Sequence, residues 1–216
     1  MSVSAESPTR DLQRDWWRRA LSVLWRPREA FQALRDDSVL AAHSRQEPIT
    51  AVVFLSGISI FLSTRTAGKF FDDRSFDGLL LFVEAIVAGA LVGLQNFWIG
   101  GGAVHLGALG NGSACSYRQA RHAVGFSLAP FVVSLVVVWP IRLAVFGSDL
   151  FRSGGADSGA GGDVFRALDI VFVVWSLALL VVAVKTLNGW TWLRSLAALA
   201  LAGVFVALFV ALWVVG

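Results

Sequence analysis

The sequence predicts an all-α protein, a polytopic membrane helical bundle of five transmembrane helices preceded by an amphipathic interfacial N-terminal helix. Of its 216 residues, 56% are hydrophobic and 15% are charged, whereas soluble domains carry about 25% charged residues. The mean hydropathy is +0.67. This composition makes the lipid bilayer the expected surroundings of most of the chain.

Residues 1–47 are predicted to form a cytoplasmic N-terminal tail with amphipathic helices. Apolar residues recur at helical spacing between residues 11 and 24, and arginines lie largely on the other side of that helix. We expect this helix to lie on the membrane, the alternative being a solvated helix that packs on the bundle. The predicted membrane-surface anchors are Trp16, Trp17, Arg14, Arg18 and Arg19. A second short helix is predicted to begin at Pro27, and residues 35–47 are interpreted as a polar connector.

The transmembrane domain is predicted to cover residues 48–216. Its five spans are expected at about 48–64, 79–109, 123–147, 167–186 and 196–216. The first only just reaches across a hydrocarbon core of about 30 Å, and the second is long enough to require a tilt or a break. Gly100, Gly101 and Gly102 are the expected place for the break, and residues 148–163 are expected to be a flexible, glycine-rich loop.

Two prolines lie inside the third span. Pro130 and Pro140 each lack a backbone N–H, so each is predicted to kink the helix. A structural kink is the favoured interpretation over a gate.

The distribution of basic residues predicts the orientation. Twelve of the 18 Lys and Arg residues fall on the side of the N-terminus and six on the other side. The positive-inside rule then places the N-terminus in the cytoplasm. No early apolar run would form a cleavable signal peptide. Heavy use of Arg and Ala indicates a GC-rich prokaryotic genome, so we expect a multi-pass protein of the prokaryotic cytoplasmic membrane.

Ionisable residues within spans are costly unless they are paired or hydrated, so they are the first candidates for a functional site. Glu84, Arg142 and Asp169 share a depth near the outer ends of the helices and form a candidate intramembrane polar cluster. The cluster is either a charge pair that ties helices together or a polar vestibule. Arg142 is expected to pair with Asp169 or Glu84. His105 lies near the inner end and is expected to bond to backbone.

Catalytic and metal chemistry find little support in the sequence. The single cysteine, Cys115, can form neither an intramolecular disulfide nor a zinc site. Phosphate-loop, zinc-protease and serine-hydrolase motifs are absent from the sequence. We therefore expect no enzymatic activity and no cofactor. The basic pI of about 9.7 favours anionic lipid head groups as partners, with no nucleic acid.

Several sequence features together resemble one family of membrane proteins. An amphipathic helix precedes Trp25, Arg26, Pro27 and Phe31, a long second span ends near His105, and the run AVGFSLAP follows at 123–130. These features, with a fourth span that opens at 168–177 and a short turn at Asn188 and Gly189, are similar to bacterial-type Yip-domain integral membrane proteins.

The resemblance implies a non-enzymatic membrane-organising or trafficking/adaptor protein, with a membrane-protein partner or a homo-oligomer. Eukaryotic members of the family are associated with Rab GTPases, but the DLYGP-like motif typical of them is absent from this sequence. A small transporter or channel that uses the outer polar cluster is the alternative, and a membrane-embedded enzyme comes third.

Overall fold

The structure, a computed structural model, describes residues 7–64, 66–73 and 75–215. Within these ranges every regular element is helical. Three helices form the N-terminal segment: α1 (Ser7–Ser22) and the shorter α2 (Pro27–Ala33) and α3 (Val39–Ser44). Five longer helices follow: α4 (Gln46–Leu62), α5 (Gly78–Leu109), α6 (Tyr117–Phe151), α7 (Ala160–Asn188) and α8 (Trp192–Val215).

Three of these helices, α5, α6 and α7, are long and apolar enough to cross a membrane. The other two apolar helices are shorter, since α4 has 17 residues and the apolar part of α8 that meets the same criteria is Trp192–Leu208. About 20 residues are needed to cross the hydrocarbon core without tilt. The chain is therefore an all-helical membrane protein with at least three candidate spans among its described residues.

Helix α4 is joined to α5 by a glycine contact. Gly89 and Gly93 lie four residues apart on α5 and are buried. A Cβ atom on Gly93 would overlap the carbonyl oxygen of Val53, and one on Gly57 of α4 would overlap the carbonyl oxygen of Gly89. Small residues at this spacing allow the backbones of two membrane helices to touch. The short helix α4 is thus packed directly against a long apolar one.

Helix α5 is continuous where a break was predicted. Its backbone widens into a π-helical turn over Asn96–Gly100 and returns to α-helix at Gly101. The side-chain amide of Asn96 donates to Val92 O at 2.9 Å, and the Tyr117 hydroxyl donates to Trp98 O at 2.9 Å. These side chains satisfy carbonyls around the wide turn, so the helix bulges without breaking.

Both predicted kink sites lie in irregular parts of α6. The α-helical segment Tyr117–Ser127 stops at Leu128, and Pro130 lies in the first turn of the next segment, Ala129–Val133. Ser127 Oγ donates to Ala123 O at 2.7 Å. Pro140 lies in the first turn after the π-helical segment Ser134–Val138. Both irregularities adjoin a proline that cannot donate a backbone hydrogen bond.

The helices end on two sides of the bundle. On one side, which we call the N-terminal side, Arg194 Nε donates to Asn111 O at 3.1 Å and joins the start of α8 to the α5–α6 turn. On the opposite side, Phe71 N–H donates to Phe151 O at 3.0 Å and Ser153 Oγ donates to Asp72 at 2.6 Å. Residues 148–163 thus contact the α4–α5 connection through Phe151 and Ser153 and include the 3-10 turn Ala156–Ser158. The flexibility of this loop stays a prediction.

The N-terminal segment is part of the main core. Trp16, Phe31 and Leu34 are buried in the same cluster as Phe126 of α6 and Leu179 of α7. The interpretation of residues 35–47 as a polar connector is also corrected, because they contain α3 and the fully buried side chain of Arg45. Helices α1–α3 thus pack on one end of the transmembrane bundle.

Candidate functional site

A polar network with Arg45 and His122 buried at its centre joins the N-terminal segment to α6, and we call it the Arg45 cluster. It consists of Asp37, Arg45, Ser116, Arg118 and His122. Arg45 is 0% exposed. Its Nε donates to His122 Nδ1 at 2.8 Å, its Nη1 to Asp36 O at 2.8 Å and its Nη2 to Asp37 Oδ1 at 3.0 Å. Every nitrogen of the guanidinium thus has a partner, which is the condition for burying a charge at tolerable cost.

Asp37 is the charge that balances the two arginines. Arg118 Nε donates to Asp37 Oδ1 at 2.7 Å, and Ser116 Oγ donates to Asp37 Oδ2 at 2.6 Å. Burial alone would raise the pKa of Asp37, but the hydrogen bonds and positive charges of its neighbours outweigh burial and hold that pKa below its ordinary value of 3.8. The carboxylate is therefore ionised at neutral pH and clamps the segment before α3 to the start of α6.

The start of α6 is built for this contact. Ser116 caps the helix by accepting from Gln119 N–H, and the Gln119 side chain accepts from Ser116 N–H in return. The amide nitrogen of Gln119 also donates to Leu34 O at 3.1 Å. The same turn that begins α6 therefore holds the end of α2 as well as Asp37.

His122 is a fully buried member of this network. Its ring stacks on Phe97 of α5 with ring centroids 6.0 Å apart. Because an arginine can only donate, the bond from Arg45 requires an unprotonated Nδ1, which places the proton of a neutral imidazole on Nε2. That Nε2 atom is buried without a hydrogen-bond partner in the described structure.

The predicted membrane-surface anchors separate into two groups. Trp16 is buried, since its ring stacks on Phe126 at 5.9 Å and lies 5.5 Å from the guanidinium carbon of Arg45. It is a core residue, which corrects its assignment as a surface anchor. The guanidinium carbon of Arg19 lies 5.2 Å from the centre of the same ring. The predicted anchors with exposed side chains are Trp17, Arg14, Arg18 and Arg19.

The predicted polar cluster on the opposite side is brought together only in part. Arg142 Nη1 lies 3.3 Å from Asp169 Oδ2, and Arg142 Nη2 lies 3.5 Å from Asp157 Oδ2. Glu84 is half-buried on α5 and forms no ion pair with a described basic residue. We call Arg142, Asp157 and Asp169 the Arg142 cluster. Its third member, Asp157, belongs to the loop and was not predicted.

The Arg142 cluster lines a cavity of about 900 Å³ between the ends of α4, α6 and α7. The Arg142 side chain is nearly buried, with its guanidinium carbon 5.0 Å from the Trp139 ring, and its Nε lacks a hydrogen-bond partner. Lys69 and Arg152 face the same cavity. The cavity is thus polar and carries charges of both signs.

The other residues considered from the sequence, His105 and Cys115, do not form a catalytic or metal-binding arrangement with described neighbours. His105 Nδ1 is buried without a hydrogen-bond partner in the described structure, and its ring lies 5.9 Å from that of Tyr117. Burial raises the pKa of the Cys115 thiol, which disfavours the reactive thiolate. Among the described residues no group of three or more His, Cys, Asp or Glu side chains could hold a metal ion.

The fold and hydropathy define an integral membrane protein of the helical class. Comparison with family models then places it: the chain belongs to the Yip1 domain family, whose model matches residues 21–214. The match includes the last two residues of α1, the Arg45 cluster, helices α4–α7 and α8 up to residue 214. No curated protein and no solved structure matches the chain significantly.

Proposed function

We propose that this protein is a non-enzymatic, membrane-organising adaptor whose N-terminal segment forms a rigid platform at the membrane surface. The Arg45 cluster carries the proposal, because the buried Arg45 and the partly buried pair of Asp37 and Arg118 fix helices α1–α3 to α6 rather than leaving them as a free tail. A fixed segment presents the same surface at all times. That property suits recognition of a partner, since little ordering entropy is lost on binding.

The exposed face of α1 has the composition of a surface contact. Trp17 and Leu21 are exposed and lie next to each other on the helix, beside Arg14 and Arg18. Tryptophan prefers the head-group zone, and arginines are attracted to anionic lipids. In the proposed arrangement, Trp17 and Leu21 contact the membrane and Arg14 binds anionic head groups. Arg18 lies at the edge of this face and is also open to the cytoplasm.

The proposed topology has five spans with the N-terminus in the cytoplasm of a prokaryotic cell. The glycine contact with α5 supports the inclusion of α4 as a span, although it has only 17 residues. Its polar neighbours at both ends, Arg45 and Thr64, fit a short span in a locally thinned bilayer. The excess of basic residues on the N-terminal side supports the orientation.

Photo-crosslinking in native membranes tests the adaptor function. A photoreactive residue replaces Arg18, whose side chain is 82% exposed, and in a matched control it replaces Arg166 on the opposite side, which is 74% exposed. We expect discrete protein adducts from position 18 that are absent from position 166. These adducts should disappear in the double variant Asp37→Asn, Arg118→Gln, in which the platform is no longer held to α6. Identical adducts at both positions, or adducts unaffected by the release, would contradict the proposal.

A small transporter or channel is the second candidate function. The cavity of about 900 Å³ that contains Arg142 and Asp169 favours it, because charged side chains at a helix interface often mark a solute pathway. Purified protein in vesicles should then show solute or proton flux that Asp169→Asn abolishes. Flux equal to that of protein-free vesicles would exclude this candidate and leave the adaptor.

A further inference from the structure

A groove on the N-terminal side runs between α2, the end of α7 and the start of α8. It comprises two cavities of about 370 Å³ and about 240 Å³, and Arg28 lines both. Trp25, Val182 and Trp192 line the larger cavity, and Gln32 and Lys185 line the smaller one. The groove is separate from both the Arg45 cluster and the Arg142 cluster.

The charges in the groove are strongly unbalanced. Its lining includes four basic residues, Arg26, Arg28, Arg35 and Lys185, and one acidic residue, Glu29. Glu29 lies 3.9 Å from Arg26, and Arg35 Nε donates to Thr186 O at 3.0 Å. Neither Arg28 nor Lys185 has an ion-pair partner in the described part of the chain. Two cations therefore face the groove without a counter-charge.

Two exposed tryptophans indicate that the groove lies at the head-group level of the membrane. Trp25 is 67% exposed and Trp192 is 47% exposed, and Lys185 Nζ lies 4.8 Å from the Trp192 ring. Exposed tryptophans next to basic residues are typical of the head-group level of a membrane protein. The next residue after Trp192, Leu193, is also highly exposed, so apolar surface continues from the groove along α8.

The C-terminus of α7 explains the position of Lys185 but not that of Arg28 or the tryptophans. Lys185 lies in the last turn of α7, where a cation is favoured by the helix dipole. Arg28 belongs to α2 and does not serve that role, and neither do the two tryptophans. Their position beside the cations requires a second reason.

We propose that the groove binds the head group of one anionic phospholipid, with the phosphate between Arg28 and Lys185. Gln32 supplies a neutral hydrogen-bond donor, and the acyl chains extend past Val182 and over Leu193. The bound lipid would bridge α2 and α7 and so help hold the platform in place. The inference rests on the proposed platform only in requiring α2 to pack on α7.

Titration of the delipidated, detergent-solubilised full chain with short-chain lipids tests this site. We expect saturable binding of dioctanoyl phosphatidylglycerol, measured by native mass spectrometry, and much weaker binding of dioctanoyl phosphatidylcholine. The double variant Arg28→Gln, Lys185→Gln should lose affinity roughly twenty-five-fold, because each basic residue near an anionic lipid is worth about 1 kcal/mol, or about fivefold. The single variant Arg28→Gln should lose about fivefold in affinity. It provides the test if the double variant does not fold.

Two controls separate this site from general charge attraction. Arg166→Gln removes an exposed cation from the opposite side and should leave the affinity unchanged. The charge-conserving variant Arg28→Lys should bind within about threefold of the native chain, because the phosphate attraction is mainly electrostatic.

Equal affinity of the native and double-variant chains, or equal binding of both lipids, would overturn the proposal. Glycerol phosphate that binds as tightly as the lipid would also overturn it, in favour of a soluble anion. The adaptor function is tested by crosslinking at position 18 and the lipid site by the lipid titration, so either proposal can be contradicted without the other.

Discussion

Arg45 donates from Nε to His122 Nδ1 at 2.8 Å, which connects a residue just before α4 to one inside α6. The two residues are 77 positions apart in the chain, and both are almost completely buried. A doubly protonated imidazole has no acceptor, so this bond exists only with a neutral His122. The contact therefore depends on a fixed proton position as well as on packing.

Replacing Arg45 should destabilise the protein strongly. Arg45→Leu removes the partner of His122 and Asp36 O and leaves Asp37 with one arginine. We expect a loss of about 3–5 kcal/mol in the free energy of unfolding, as for other broken buried pairs. Unfolding in mixed micelles measures it. Arg26→Leu, in the exposed Arg26–Glu29 pair, is the control and should change stability by less than about 1 kcal/mol.

The coupling between Arg45 and Asp37 can be measured separately. Asp37→Asn in the Arg45→Leu background should cost less than it does in the native chain, because the charge that Arg45 balances is already uncompensated. If the double variant lost the plain sum of the two single losses, Arg45 and Asp37 would not act together.

Stability should depend on Asp37 at low pH. The pKa of Asp37 is lowered in the folded protein, so its contribution is fully present above the unfolded value of about 3.8 and is lost as the pH falls toward the folded pKa. The difference in melting temperature between the native chain and Asp37→Asn should thus be constant from pH 7 to about pH 5 and shrink below about pH 4. A difference that stays constant down to pH 3 would show that the charge of Asp37 is not what stabilises the contact.

The glycine contact between α4 and α5 should tolerate no side chain. Gly93→Val would force its side chain into the backbone of Val53, so we expect a loss of at least about 1–3 kcal/mol from overpacking. Gly203→Val is the matched control, because a Cβ there meets no atom within 4 Å. If both variants unfolded at the same denaturant concentration, α4 would not pack against α5 as described.

The Arg142 cluster should behave as a structural ion pair. Arg142→Ala leaves Asp157 and Asp169 without their shared cation, and we expect a loss of about 3 kcal/mol in detergent. Asp169→Asn in the same chain should recover part of that loss. A double variant less stable than Arg142→Ala would show that Asp169 is held by something other than Arg142.

The apolar helices were predictable because hydropathy is a local property of the chain. Arg142 could be paired in advance with Asp169 or Glu84, and the structure selects Asp169, which lies on the antiparallel helix that a loop joins to that of Arg142. Arg45 looks like any other charge in the tail, and its burial depends on His122, which lies far along the chain. Trp16 was predicted to be a membrane-surface anchor, because the sequence alone does not distinguish an apolar helix face that meets protein from one that meets lipid. The spacing of Gly89 and Gly93 was a usable signal for helix packing that the sequence analysis missed.

Hydrogen exchange of the native chain in lipid nanodiscs tests the central claim most directly. If α1–α3 form a rigid platform, the amides of Ala30, Leu34 and Ala42, which donate to backbone carbonyls, should be protected. Their protection should approach that of Ala120, in the first turns of α6. Exchange of all three within seconds, while Ala120 remains protected, would show a mobile tail and contradict the account.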